Sequence, residues 1–270
     1  SELVRSWKLS GRPGGRDGLL DQLAQRGLAY VPSRYQVSYG DGHAIASVAP
    51  VRPGIPARVR KHTLMELDEW PYPAKPIVPL AETVHERYSV EIFRGCTRGC
   101  RFCQAGMITR PVRERNIQTV GKMVEAGLAA TGLEEVGLLS LSSADHSEIG
   151  PITKQLADRY SDSFVSLSLP STRVDAFNID LAAELSRNGR RSGLTFAPEG
   201  GTERLRKVIN KMVTEDDLIH TVAAAFGAGW RQVKLYFMIG LPTETGAAGA
   251  AAAASRRPAS RHGRRRGGTR

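Results

Sequence analysis

The sequence predicts an α/β fold, a partial (βα) barrel that is apparently truncated after its fifth βα strand and carries an N-terminal extension. From Tyr88 onward, short apolar strands alternate with amphipathic helices, the pattern of βα units around a parallel sheet. Polar and apolar residues also alternate within these strands, which favours a barrel with a polar interior over a dry core. This pattern stops after Thr245, and for that reason we expect a barrel without its sixth unit.

Residues 1–87 are predicted to form an extension ahead of the barrel. Gly and Pro residues at positions 11–15 break the first stretch into short helices. The alternating segment from Tyr30 to Val48, with a turn at Asp41-Gly42, predicts a β-hairpin. Prolines recur between residues 50 and 87, which rules out a long helix there and indicates an extended linker.

Residues 88–245 are predicted to form the barrel core. Its five predicted strands are Tyr88 to Arg94, Glu135 to Ser142, Ser163 to Leu169, Gly193 to Ala197 and Gln232 to Ile239. Apolar residues at helical spacing predict connecting helices around residues 120–128, 181–185, 205–212 and 218–226. In such barrels the chemistry lies at the carboxyl ends of the strands, so we expect the site residues there.

Residues 246–270 are predicted to be a disordered tail, since they consist mainly of Ala, Gly, Arg, Ser and Pro. The tail holds seven arginines and no acid, and subtracting these seven charges from the net charge of +11 leaves +4. The basic character therefore belongs mostly to the tail and gives only weak support for nucleic-acid binding. The sequence contains no apolar run of about 18 residues, so no membrane span is predicted.

All three cysteines of the chain, Cys96, Cys100 and Cys103, lie on one short segment with the spacing CxxxCxxC. Three cysteines cannot all pair as disulfides, and a cluster this tight indicates a metal. Thiolates suit zinc or an iron–sulfur cluster. Zinc needs a fourth ligand, for which His85 and His146 are the candidates. On a 4Fe–4S cube, three cysteines would leave one iron open to bind and activate a substrate.

Because Phe102 directly precedes the last cysteine and the motif follows a predicted strand, this segment resembles the radical S-adenosylmethionine (SAM) enzymes. The resemblance implies a barrel of the radical SAM type, a 4Fe–4S cluster on the three cysteines and SAM chelated by the open iron. It also implies reductive cleavage of SAM to start radical chemistry on an unidentified substrate. The segment through Pro111 resembles a subgroup that often carries an upstream cobalamin-binding domain. Cobalamin would need such a domain, which this chain does not contain.

The same resemblance assigns the contacts of SAM to the strand ends. Serines at the second strand would hold the amino group, an acid at the fourth strand the ribose, and the fifth strand end the adenine, while an arginine would pair with the carboxylate. The residues so assigned are Phe102, Ser142, Ser143, Arg173, Glu199, Gly240, Leu241 and Pro242. An external donor of the flavodoxin or ferredoxin type would supply the electron, and an oxygen-sensitive cluster implies the cytoplasm.

Several alternatives stay open at the level of sequence. Glu199 could cap the helix that begins near Thr202, Arg173 could form a surface salt bridge, and Asp145 with His146 could act as an acid–base pair. At the level of function, the alternatives are a structural zinc module, an electron-transfer iron–sulfur protein, and methyl or methylthio transfer to RNA.

Overall fold

The computed structural model describes residues 2–177, 179–187, 193–246 and 249 of the chain. They divide into two compact units, one that ends at Leu64 and one that begins at Met65. The tail predicted at 246–270 lies outside the described residues apart from Gly246 and Gly249, so its disorder stays a prediction. No helix in the described part of the chain is both long and apolar enough to cross a membrane.

The first unit consists of two short helices and a β-hairpin. Its elements are α1 (Glu2–Leu9), α2 (Gly15–Gln25), β1 (Tyr35–Tyr39) and β2 (Ile45–Pro50). The two strands pair antiparallel, and the turn between them places Gly42 at a φ of 72°, a conformation that glycine adopts without steric cost. The predicted hairpin and its turn are therefore confirmed. A small core of Ala24, Val31, Tyr35 and Ile55 holds the unit together.

The second unit alternates strands and helices. Its strands are β3 (Tyr88–Glu91), β4 (Phe93–Arg94), β5 (Arg113–Glu114), β6 (Glu135–Leu139), β7 (Ser166–Ser168), β8 (Leu194–Glu199) and β9 (Val233–Phe237). Its helices are α3 (Gln104–Ile108), α4 (Ile117–Thr131), α5 (Ile149–Arg159), α6 (Ile179–Ser186), α7 (Glu203–Val208) and α8 (Glu215–Gly227). All five predicted strands are present. The first is divided into β3 and β4; β6, β7 and β9 are shorter than predicted, and β8 extends two residues further, to Glu199.

Parallel pairing organises the larger strands, as predicted. β3, β6 and β7 form one parallel sheet in that order, and β8 pairs parallel with β9. β4 and β5 form a separate short antiparallel pair. Within the described residues these sheets do not close into a ring. The fold is therefore α/β with a partial (βα) barrel, which confirms the predicted fold class.

The core lies between the three-stranded sheet and the helices that cover it. Val90, Val136 and Leu138 of the sheet are fully buried, as are Val120 and Val124 on the apolar face of α4. Burying such aliphatic side chains contributes roughly 1.5 to 3 kcal/mol each. In β9 the alternation is visible as predicted, because Lys234 and Tyr236 are exposed while their neighbours are partly buried.

Three helices of the second unit differ from the sequence prediction: α3 and α5 were not predicted, and α7 is shorter than predicted. α5 was missed because proline usually breaks a helix and Pro151 lies near its start. In the first turn of a helix, however, the N–H group that proline lacks would have no intrahelical partner. The helix predicted over 205–212 ends at Val208, since Asn210 takes a left-handed φ of 55°. Thr214 then begins α8 with a capping box.

The proline-rich linker is held on the second unit by one buried leucine. Leu67 is 2% exposed, and its carbonyl accepts a hydrogen bond from the buried Arg115 guanidinium. Asp68 next to it accepts bonds from the backbone and side chain of Asn116, the N-cap of α4. This contact fixes the middle of the linker, at residues 67–68, against the start of α4.

Candidate functional site

The three cysteines lie on the loop that leaves β4, called here the cysteine loop (residues 95–103). The loop begins with Gly95 at a φ of 100°, where a Cβ atom would lie 2.7 Å from the Pro111 carbonyl oxygen. Only glycine fits this position. All three cysteines are free thiols; Cys100 is buried, and Cys96 and Cys103 are partly exposed.

Two of the thiol sulfurs accept hydrogen bonds from the backbone. The Gly106 N–H donates to Cys103 Sγ at 3.3 Å, and the Arg98 N–H donates to Cys96 Sγ at 3.5 Å. Such bonds stabilise thiolates and are a feature of cysteines that hold iron–sulfur clusters. Three soft donors, two of which accept backbone hydrogen bonds, fit a 4Fe–4S cluster.

The described side chains do not form a converged site for a single metal ion. Among them, no group of three or more His, Cys, Asp or Glu is placed to hold one ion. A zinc site needs ligands that converge on one point. In a 4Fe–4S cube each cysteine binds a different iron, so the sulfurs stay apart.

Neither histidine considered for zinc is available beside the cysteines. His146 is 3% exposed, its Nε2 lies 3.1 Å from the Arg115 carbonyl oxygen, and its Nδ1 accepts the Glu148 N–H at 3.0 Å. Both ring nitrogens are therefore bonded to backbone, and His146 does not form an acid–base pair with Asp145. His85 is exposed on the linker.

An ion-pair network holds the cysteine loop to the ends of β6 and β7. The Arg98 guanidinium donates two hydrogen bonds to Asp145, at 2.5 and 3.1 Å, and lies 3.4 Å from Asp175. Asp175 also accepts two bonds from Arg173, at 2.9 and 3.1 Å. Asp145 in addition accepts a bond from Ser142 Oγ at 2.7 Å.

This network shifts the protonation equilibria of its central pair. The hydrogen bond to Asp145 raises the pKa of Arg98 above its ordinary value, outweighing the effect of burial. Burial alone would raise the pKa of Asp145, but the bonds from Arg98 and Ser142, with the charges of Arg98 and Arg173, bring that pKa below its ordinary value. Both groups are therefore charged at neutral pH.

The turn after α7 holds the opposite side of the cysteine loop. The Arg101 N–H donates to the Ile209 carbonyl at 2.9 Å, and the Arg101 guanidinium donates to the Val208 carbonyl at 2.6 Å. Asn210 Nδ2 donates to the Gly99 carbonyl at 2.9 Å. These contacts were not predicted, because no local sequence pattern marks pairs so far apart in the chain.

Glu199 lies at the carboxyl end of β8, as predicted, with a positive φ of 70°. Its Oε1 atom lies 3.4 Å from Lys211 Nζ, and the two side chains are 15% and 11% exposed. The helix-cap interpretation of Glu199 is wrong, because the cap of α7 is Thr202, whose Oγ1 accepts the Leu205 N–H at 3.3 Å. A carboxylate with a cationic partner thus lies at the end of β8, and that partner, Lys211, directly follows Asn210, which bonds to the cysteine loop.

The other predicted SAM contacts lie in different settings. Ser143 is fully buried; its Oγ donates to the Leu138 carbonyl at 2.8 Å and its N–H to the Ser171 carbonyl at 2.8 Å, which joins the ends of β6 and β7. Arg173 is paired with Asp175 as described. Phe102 is 43% exposed.

The end of β9 is attached to α7 rather than to the cysteine loop directly. The N–H groups of Gly240 and Leu241 donate to one Glu244 oxygen, at 2.6 and 3.0 Å, which forms a tight turn around the exposed Pro242. Arg204 of α7 donates to the Thr243 carbonyl at 2.7 Å. Because α7 also leads into the turn that binds the cysteine loop, the two regions are connected through one helix.

A small cleft opens beside Cys96. Its volume is about 40 Å³, room for a few water molecules but not for a cofactor. Its lining residues are Phe93, Cys96, Thr97, Val112, Ser142 and Asp145. The cleft therefore connects the first cysteine to the end of β6.

A protein-family model and a protein of known sequence both match this chain. Residues 90–251 match the model of the Radical SAM superfamily. A protein of Methanocaldococcus jannaschii, the uncharacterized protein MJ0966, is 38% identical over 158 residues, which are 58% of this chain and 34% of that protein. This chain thus spans about a third of the length of that relative.

Among solved structures, the fold is similar to TsrM from Kitasatospora setae, a radical S-adenosylmethionine methyltransferase. The structure with cobalamin and a [4Fe-4S] cluster has a TM-score of 0.55 at 16% identity, covering 64% of this chain and 32% of TsrM. The structure with tryptophan substrate and a SAM analog has a TM-score of 0.54 at 16% identity, with 63% and 33% covered. At 16% identity this similarity shows a shared fold and nothing more.

Proposed function

This chain belongs to the radical SAM superfamily, whose members use a 4Fe–4S cluster and SAM, and we propose that it reductively cleaves SAM at a cluster bound by Cys96, Cys100 and Cys103. The observation that carries this proposal is the cysteine loop. It holds every cysteine of the chain as free thiols, and polar contacts fix it on two sides. We place the activity in residues 88–245, with residues 1–87 as an extension and 246–270 as a tail.

A cluster bound at these cysteines would supply one electron to the sulfonium of SAM, which breaks its C5′–S bond into methionine and a 5′-deoxyadenosyl radical. The protein's own part is to position SAM and to exclude water. Cys100, which is buried, keeps one ligand away from solvent. Glu199 would accept hydrogen bonds from the ribose hydroxyls, and Lys211 lies 3.4 Å from it as a cationic partner.

Two further parts of the proposal concern the surroundings of the site. The electron would come from an external donor of the flavodoxin or ferredoxin type. Free thiols on a partly exposed loop suit the cytoplasm, where thiols stay reduced. The acceptor of the radical is a substrate still to be identified.

The test is anaerobic reconstitution with iron and sulfide, followed by dithionite reduction in the presence of SAM. We expect iron uptake, absorbance in the visible region and release of 5′-deoxyadenosine, detected by mass spectrometry. Replacing any one of the three cysteines with Ala should abolish all three signals. Thr97→Ala, on an exposed position of the same loop, is the matched control and should keep them.

Two results would overturn the proposal in different ways. Stoichiometric zinc without iron uptake would favour the structural zinc module. A stable cluster that leaves SAM intact would favour an electron-transfer protein.

A further inference from the structure

Arg98 stands out because it lies between the first two cysteines and yet bonds to residues outside the loop. Its guanidinium contacts Asp145 after β6 and Asp175 after β7, while its own N–H donates to Cys96 Sγ. Its side chain is 37% exposed. A cation is therefore fixed in place beside a cysteine that is proposed to hold the cluster.

The charges around Arg98 are balanced. Two arginines, 98 and 173, face two aspartates, 145 and 175, and Arg173 contacts Asp175 rather than a free ligand. Removing one arginine leaves a net negative charge beside Cys96, and removing one aspartate leaves a net positive charge. Removing Arg98 or Asp145 also breaks the hydrogen-bonded contact between the cysteine loop and the end of β6.

Building on the proposed function, we propose that Arg98 is a positioning residue that fixes the loop at Cys96 and holds a positive charge which favours the reduced state of the bound cluster. One-electron reduction adds a negative charge to a cluster that already carries thiolate ligands. A nearby cation stabilises that added charge, and charge near the cluster is a recognised determinant of its reduction potential.

The experiment is a redox titration of the reconstituted chain of residues 1–270, with the reduced cluster followed by electron paramagnetic resonance. Arg98→Gln should shift the midpoint potential to a more negative value, because it removes the cation and leaves two aspartates. Asp145→Asn should shift it to a less negative value. Arg98→Lys, which keeps the charge without the paired hydrogen bonds, should lie near the unsubstituted protein.

Arg187→Gln is the matched control. Arg187 also contacts two carboxylates, those of Asp158 and Glu184, and its side chain is 39% exposed, but it lies at the end of α6. We expect no shift for this variant.

The opposite signs separate electrostatics from loss of structure. Shifts of Arg98→Gln and Asp145→Asn in the same direction, or no shift in either, would overturn the inference while the proposed function stands. If Arg98→Gln takes up no iron, the direction of the shift in Asp145→Asn still tests the inference, with Arg98→Lys as the charge-conserving reference. A protein that takes up no cluster even when unsubstituted would overturn both the proposed function and this inference.

Discussion

Glu199 and Lys211 form a largely buried pair of opposite charges at the end of β8. The sequence predicted the position of Glu199 at a strand end, but not its partner. Regular alternation along the strand would place Glu199 on the same face as Thr195, whereas the structure has an irregular register between Phe196 and Glu199 and a positive φ at Glu199. Irregularities of this kind depend on the pairing with a distant strand, which the alternation of residues within one strand does not predict.

The first prediction concerns this carboxylate. Glu199→Gln should weaken the binding of SAM to the reconstituted protein by about 1 to 3 kcal/mol, because a charged acceptor for the ribose is lost. Equilibrium dialysis measures the effect. Glu203→Gln is the control, since Glu203 is exposed and paired with Lys207 across one helical turn. Equal SAM affinity of the two variants would contradict the assignment of Glu199 to the ribose.

The second prediction is a pH dependence at Asp145. Its pKa is lowered in the folded protein, so its bonds stabilise the fold fully above the unfolded-state pKa of about 3.9 and lose this contribution as the pH falls through the folded value. Asp145→Asn should therefore be less stable than the unsubstituted protein at pH 6. The difference should shrink below about pH 4.

Urea denaturation at several pH values measures this difference. Asp217→Asn is a comparison at an exposed helix start. Bonds from Thr214 also lower the pKa of Asp217, so the stability difference of this variant should likewise shrink as the pH falls. A difference for Asp145→Asn that grows as the pH falls would contradict the prediction.

At the scale of the elements, hydrophobic periodicity predicted most of the strands and helices, but it missed elements that depart from the usual sequence pattern. The strands were predicted because their apolar residues alternate, and α4, α6 and α8 because theirs recur at helical spacing. α5 was missed because Pro151 looks like a breaker even where a first turn tolerates it. The contacts of the turn at 208–211 with the cysteine loop could not be predicted, since nothing in either segment specifies the other.

The third prediction tests how the linker is attached. Leu67→Ala should lower the free energy of unfolding by about 2 to 5 kcal/mol, because Leu67 is buried and its removal leaves a cavity. Leu80→Ala on the same linker should change it by less than about 0.5 kcal/mol, because Leu80 is fully exposed. Urea denaturation compares them. Equal stability of the two variants would show that Leu67 does not hold the linker.

At the scale of the whole molecule, the partial barrel has an exposed edge. Among the described residues, β9 pairs with β8 and with no strand on its other side. Ile239, just beyond its end, is 93% exposed, and Tyr236 is 59% exposed. Exposed strand edges with apolar side chains promote association between chains.

The fourth prediction follows from this edge. The protein should self-associate as its concentration rises, and Ile239→Lys should reduce the associated fraction several-fold, because a charge at the strand end opposes pairing. Ile77→Lys is the control, since Ile77 is 97% exposed and belongs to the linker rather than to β9. Sedimentation velocity measures both. An equal effect of the two substitutions would indicate general hydrophobic association, and a monomer at every concentration would contradict the prediction.

The two-sided attachment of the cysteine loop also sets an order for its formation during synthesis. Arg98 and Asp145 are 47 residues apart, while Arg101 and Asn210 bond to partners 107 and 111 residues away. At 5 to 20 residues per second, the ribosome needs roughly 5 to 20 s to deliver the later partners. Throughout that interval the nascent loop presents three thiols without half of its contacts. Iron delivered before the turn at 208–211 emerges would therefore meet a loop that is not yet shaped to receive it.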